Sequence, residues 1–167
     1  MYKIIEIGGN EYKREFSIEA SLYKDCTEKL IHFINDATAT QRLDVTGLSP
    51  EMVVAKQNEA MQSAISGMSD MPNLAMTLWY AGFMEHHGVE GDGTVTSMRA
   101  AKELYKQYHA EHPDNSSFYE IVADCIEQMS DDGFFDLIGL NKMNEQVQAM
   151  PTTKKPQDHR RKATAKS

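Results

Sequence analysis

Hydrophobic positions recur along this chain with two different periods, and the change of period divides it. From Tyr2 to Ile7 apolar and polar positions alternate, with Lys3, Ile5 and Ile7 on one face and Tyr2, Ile4 and Glu6 on the other. Gly8-Gly9-Asn10 follows, then a second β-prone run from Glu11 to Phe16. Glycine and asparagine tolerate the positive φ of tight turns, so the pattern predicts a β-hairpin over about residues 1–16. A lone two-stranded hairpin is marginal in water. It must therefore lie against helices or a neighbouring subunit.

After residue 16 the period lengthens to three or four. Ser17 is a suitable N-cap, and Ile18, Leu22, Cys26, Leu30, Phe33 and Ile34 form one continuous stripe. Residues 36–48 show no clean period and read as a loop. Ser49-Pro50-Glu51 predicts a helix start, with Met52, Ala55, Met61, Ala64, Ile65 and Met68 lining one side, weakened near Gly67 and Ser69-Asp70. Residues 72–87 are apolar nearly all the way round, which predicts a separate central helix stopped by Gly88. A helix from Thr94 or Thr96 to His112 presents Met98, Ala101, Leu104, Tyr105 and Tyr108, and Pro113 ends it. Ser117-Phe-Tyr-Glu120 matches a capping box for a helix carrying Phe118, Ile121, Val122, Cys125, Ile126 and Met129. A short helix over 134–140 and an amphipathic turn or two marked by Met143, Val147 and Met150 close the series.

The expected fold is mainly α (α+β): five to six helices packed around a central apolar helix, an N-terminal β-hairpin, and a disordered basic C-terminal tail. Residues 1–150 form the helical unit. Residues 151–167 contain no apolar side chain larger than alanine or proline and cannot offset their ordering entropy.

Composition narrows the function. The chain has 167 residues, 41% of them hydrophobic, and no run of apolar residues long enough to cross a membrane. Its first residues do not read as a signal peptide, so an intracellular protein is expected. The net charge is −8, yet the segment 154–167 holds six bases against one acid, which leaves the body more acidic than the whole. Nucleic acid is not expected as a partner of that body, because phosphate contacts need clustered Lys and Arg.

No catalytic, cofactor-binding or metal-binding residue is expected. His86 and His87 are adjacent on a helix and point about 100° apart, so they do not converge on one ion. His109 and His112 share a face but lack a carboxylate at the right offset. Gly88-Val-Glu-Gly-Asp-Gly93 lacks the Gly-Lys-Ser/Thr ending of a phosphate loop, and its acids would repel phosphate. The acidic pair Asp131-Asp132 reads as a solvated helix end. Cys26 and Cys125 read as buried thiols on helix stripes; a disulfide between them stays open.

What stands out is sulfur and aromatic content. Of 11 methionines, Met52, Met61, Met68, Met71, Met76 and Met84 fall within residues 52–84. They are either core filler or an adaptable groove for a partner helix, and exposure divides the two. The candidate protein-binding residues are Met76, Tyr80, Phe83, Met84 and Phe135.

Several segments stand in a telling order. An N-terminal Tyr2-Lys-Ile-Ile hairpin with Glu11-Tyr-Lys13 precedes Ser17-Ile-Glu-Ala-Ser-Leu-Tyr-Lys24. Pro72-Asn-Leu-Ala75 leads to Tyr80-Ala-Gly-Phe-Met-Glu-His-His-Gly-Val-Glu-Gly-Asp-Gly93. Then come Ala101-Lys-Glu-Leu-Tyr-Lys-Gln-Tyr108, Asp132-Gly-Phe-Phe-Asp-Leu-Ile-Gly-Leu140 and Lys155-Pro-Gln-Asp-His159. In this order the chain resembles the tail assembly chaperones of long-tailed bacteriophages of Gram-positive bacteria (siphophages). Residues 36–68 contribute least to the likeness.

The resemblance implies a non-enzymatic protein that binds the tape-measure protein, keeps its apolar helices soluble in the host bacterial cytoplasm, and is absent from the mature virion. It also implies a longer, frameshifted form that recruits tail tube protein. Self-association into a homo-oligomer is expected. The alternative is a phage regulatory or host-takeover adaptor whose basic tail touches nucleic acid. A small hydrolase is a third reading, and it would need a pocket where Cys or Glu meets His.

Overall fold

A computed structural model describes residues 1–41 and 46–149. Among these the chain forms β1 (Lys3–Ile7), β2 (Asn10–Arg14), α1 (Ile18–Leu22), α2 (Lys24–Gln41), α3 (Pro50–His87), α4 (Met98–Glu111), α5 (Phe118–Asp131), α6 (Phe134–Leu137) and α7 (Leu140–Ala149). The architecture is mainly helical with an N-terminal antiparallel hairpin, as the periodicities predict. The expected disordered tail, 151–167, and Met150 lie outside the described residues.

In the hairpin Ile7 pairs with Asn10 across Gly8 and Gly9, whose φ values are 60° and 74°. Two consecutive positive φ angles define a turn that matches the strands' own twist. Ile5 and Ile7 enter the core, while Tyr2 and Ile4 face outward. The hairpin lies on the helices. The Lys13 amide donates to His87 Nε2 at 2.9 Å, and the Glu15 amide to the Gly82 carbonyl at 2.8 Å. The Gly8 amide donates to both carboxylate oxygens of Glu111 at 3.0 Å.

Arg14 completes this clamp from inside. Its side chain is fully buried, with Nη2 2.6 Å from Asp124 Oδ2 and Nε donating to Gln128 Oε1 at 2.6 Å. The Gln128 amide donates back to the Arg14 carbonyl. A Cβ at Gly82 would come within 2.6 Å of Arg14 Cγ, so only glycine lets the stem pass over α3.

Two carboxyls on the clamp sit below their ordinary range. Burial pushes Asp124 up, but the Arg14 guanidinium, helped by Lys3, outweighs it. Burial also pushes Glu15 up, and the hydrogen bonds from His86 and the amino-terminal ammonium together outweigh that. A carboxyl depressed in the folded state contributes stability above its unfolded pKa, and the contribution is lost as pH falls through the folded value. The Tm measured by circular dichroism is therefore expected to fall on acidification below the ordinary carboxylate range. A Tm that stays flat there would contradict the clamp.

Three helix expectations need correction. The stripe from Ile18 to Ile34 does not run on one helix: Tyr23 adopts an extended conformation (ψ 95°) and separates α1 from α2. The bend changes which face α1 buries, so Ile18 and Leu22 are exposed and Ala20 is buried. Ser17 makes no capping bond; its hydroxyl donates to the Glu85 carboxylate on α3 instead. The loop expected from residue 36 starts later, because α2 continues to Gln41, and residues 42–45 of that loop lie outside the described residues.

The helices expected over 50–70 and 72–87 are one helix. α3 runs 38 residues straight through Pro72, about 57 Å at 1.5 Å per residue. Pro72 has no N–H for the Met68 carbonyl. Both residues are exposed, so water can bond that carbonyl and the helix continues.

From Leu74 to Phe83, α3 is the core. Leu74, Ala75, Leu78, Trp79, Ala81 and Phe83 are buried, and α1, α2, α4, α5 and β2 all pack on the helix. Ser97 caps α4, and Ser117 with Glu120 forms the expected capping box on α5. Cys26 and Cys125 are free and buried, as the buried-thiol reading of their stripes expects, and no disulfide joins them.

Candidate partner-binding surface

The amino-terminal half of α3 leaves the core behind. Ser49 caps it by accepting from the Met52 amide, and Pro50 occupies the first turn. On one side it packs along α2, and this packing continues beyond Pro72, where Lys29 Nζ reaches Asn73 Oδ1 at 3.0 Å and Thr77 Oγ1 at 3.1 Å. The small residues Ser63 and Gly67 face Phe33 and Ala37 of α2. Together α2 and α3 form a two-helix arm.

The other side of the arm is apolar and uncovered. Val54, Met61, Ile65 and Met68 are 55%, 59%, 59% and 73% exposed. They are spaced seven, four and three residues apart. At about 100° per residue they fall within about 60° of one another, on a single line down the helix. Asn58 fills the gap, so positions 54, 58, 61, 65 and 68 alternate four and three apart, the spacing of a coiled-coil seam. Gln57, Gln62 and Ser69 border this line, and none carries charge. Lys56, Glu59 and Asp70 fall on the far side of the helix by the same angles.

Beside Met68 the two helices part. A crevice of about 140 Å³ lies between them, lined by Phe33, Ala37, Gly67, Met68 and Met71, with Asp36 and Ser63 at its polar side. It adjoins the apolar line and has room for an inserted side chain. Pockets of this sort, once a partner covers them, are where interface anchors gain most.

The five candidate residues are placed differently. Met76 and Phe83 are buried, with Phe83 edge-on to Trp79 at 5.1 Å, and they have almost no surface for a partner. Tyr80 is half-buried, edge-on to Tyr23 at 5.5 Å, and its hydroxyl donates to the Thr96 carbonyl at 3.3 Å. Met84 and Phe135 are half-buried, Phe135 against the core. The methionines divide on exposure: Met52, Met61 and Met68 lie outside, while Met76 is core. Val54 was missed, as was the fact that no described residue covers the line. The signal was available in the alternating spacing with uncharged borders.

Groups that could carry chemistry are engaged elsewhere. His86 pairs with Glu15 at 2.6 Å. His87 accepts from the Lys13 amide through Nε2, and its Nδ1 lies 2.8 Å from Asp92 Oδ2, which fixes a neutral tautomer with the proton on Nδ1. Asp92 also accepts from the Thr94 amide and hydroxyl, so the glycine-rich loop is folded on its own acid. His109 Nδ1 lies 2.7 Å from Ser116 Oγ. Burial pushes the Cys26 thiol up to about 12, and it pushes Cys125 up as well, so both stay protonated. Among the described residues no three His, Cys, Asp or Glu side chains are grouped to hold a metal ion, and no helix is long and apolar enough to cross a membrane.

Comparison with protein-family models, with curated proteins and with solved structures finds no match to this chain.

Proposed function

We propose that this chain is a non-enzymatic tail assembly chaperone that grips amphipathic helices of a tape-measure protein with the arm formed by α2 and α3. The observation that carries the reading is the uncovered line Val54, Met61, Ile65 and Met68 beside the Phe33–Met71 crevice. Apolar side chains held on a folded helix, away from its own core, offer a surface to another polypeptide. A helix laid along the line would bury its apolar face there and anchor one side chain in the crevice. Methionine suits this work, because its flexible thioether repacks around varied partners. The order of segments from the hairpin to Lys155-Pro-Gln-Asp-His159 supports the same reading.

The net charge of −8 raises the encounter rate with basic client segments. Several copies along one long client would hold it through avidity, although each contact is weak. In this reading the chain acts in the host bacterial cytoplasm and is absent from the mature virion. A longer frameshifted form would bring in tail tube protein.

Co-expression with a tape-measure fragment tests the reading. The fragment is expected to become soluble and to co-purify with the chain. Met61→Glu with Ile65→Glu is expected to reduce that recovery about tenfold or more, because two charges are placed on the line. A fragment that stays insoluble beside abundant folded chain would overturn the proposal. Salt-sensitive nucleic-acid binding lost on deleting residues 154–167 would instead favour the regulatory adaptor.

A further inference from the structure

We infer that the line on α3 is also a self-association seam, through which two copies of this chain pair antiparallel and cover each other until a client displaces them. That self-pairing is the resting state of a client site rests on the chaperone reading; the seam itself stands on geometry and charge.

Three observations choose a second copy as the occupant. The first is the spacing. Positions 54, 58, 61, 65 and 68 follow the alternation that lets two like helices interlock side chains along a shared line. A surface that repeats in this way is complementary to itself, as a two-fold interface requires.

The second is charge. The chain carries −8, so a second copy is repelled by most of this surface. Between Val54 and Met68 the line, with Asn58 on it, and its borders Gln57, Gln62 and Ser69 carry no charge, and the flanking acids are Glu51 before Val54 and Asp36 at the crevice beside Met68. The line is a strip on which two acidic molecules can meet.

The third fixes the direction. Beyond Pro72 the same face of α3 turns into the core, where Met76, Trp79 and Phe83 are buried under the rest of the molecule. In a parallel pair the two bodies would collide on that face. In an antiparallel pair the arms overlap and the bodies project at opposite ends, which also keeps the acidic bodies apart. Met61 of one copy then packs against Ile65 of the other. Asn58 falls near Met68 toward the ends of the overlap, where its amide reaches water. In this register the two lines overlap from Asn58 to Met68, about 15 Å, so the pairing is weak and yields to a client.

Sedimentation equilibrium of the full chain alone, over a wide concentration range, tests the seam. The expected result is a reversible shift toward twice the monomer mass. Ile65→Glu is expected to weaken it by roughly tenfold or more, and Lys56→Glu on the far side to leave it intact. Ile65 is exposed, so the far-ultraviolet dichroism of Ile65→Glu should match the parent and exclude unfolding as the cause. Small-angle scattering of the dimer should show two bodies at opposite ends of a long particle. A strict monomer at the highest concentration, a dimer indifferent to Ile65→Glu, or a dimer with its bodies side by side would each overturn the inference. A monomer that still solubilises the tape-measure fragment sinks the seam alone. A dimer that ignores the fragment sinks the chaperone reading and leaves the seam standing.

Discussion

Arg14→Ala is expected to cost about 3–5 kcal/mol of folding stability, nearer the lower figure. The guanidinium is completely buried between the hairpin, α3 and α5, and its removal takes the partner from Asp124 and from Gln128 Oε1 together. The Asp124 side chain is 34% exposed and keeps Lys3, so water and that ammonium recover part of the loss. Asp124→Ala tests the pair from the other side. It strands a buried cation that cannot shed its proton, and it should cost at least as much. Arg14→Met keeps the stem that crosses Gly82 and should be the mildest of the three. Urea titration followed by circular dichroism measures each as a lower midpoint at unchanged slope. A loss below about 1 kcal/mol for Arg14→Ala would mean the guanidinium is not enclosed as described.

Trp79→Ala is expected to cost about 3–5 kcal/mol, through lost contact and the cavity left behind. The ring is fully buried and meets Phe83 at 5.1 Å, Tyr108 at 5.1 Å and Tyr105 at 6.0 Å, with the Arg14 guanidinium 5.9 Å from its face. It thus joins α3 to α4 and to the hairpin clamp. Trp79→Phe separates ring volume from the indole N–H. That N–H is buried and has no partner among the described residues, so phenylalanine removes a group that already carries a desolvation cost. The phenylalanine variant should therefore lose less than half as much as the alanine one. Trp79 is the only tryptophan, so unfolding has to be followed by circular dichroism. Equal losses for the two variants would show that the indole N–H contributes and that its surroundings differ from those described.

The sequence carried the type of nearly every element, because each has a local physical cause. Gly8-Gly9 forces the hairpin turn, Ser117 and Glu120 satisfy each other's amides, and residues 74–83 are apolar on every side. What failed was continuity. Nothing in the run from Ile18 to Ile34 announces the extended Tyr23, because that bend is set by Tyr23 packing on Tyr80 and by Ser17 bonding Glu85, both distant in sequence. Pro72 and Gly67 read as a boundary by local rules, yet the helix passes both because the exposed side leaves the Met68 carbonyl to solvent. The candidate site was half legible. Met61, Ile65 and Met68 stood out as a face of a helix, but whether a face is covered is a tertiary fact. Local pattern alone therefore favours Met76 and Phe83, whose apolar character reflects the core.

Pro72 has a mechanical consequence. It stands where α3 passes from a segment gripped on all sides to one that, among the described residues, is held by α2 alone, and it is where the ladder of main-chain bonds lacks a rung. A rod loaded at its far end bends at its softest section. Traction on the arm during handover would be taken up as a hinge at Pro72, leaving Trp79 and the hairpin clamp unstrained. The lever can swing while its mounting stays still.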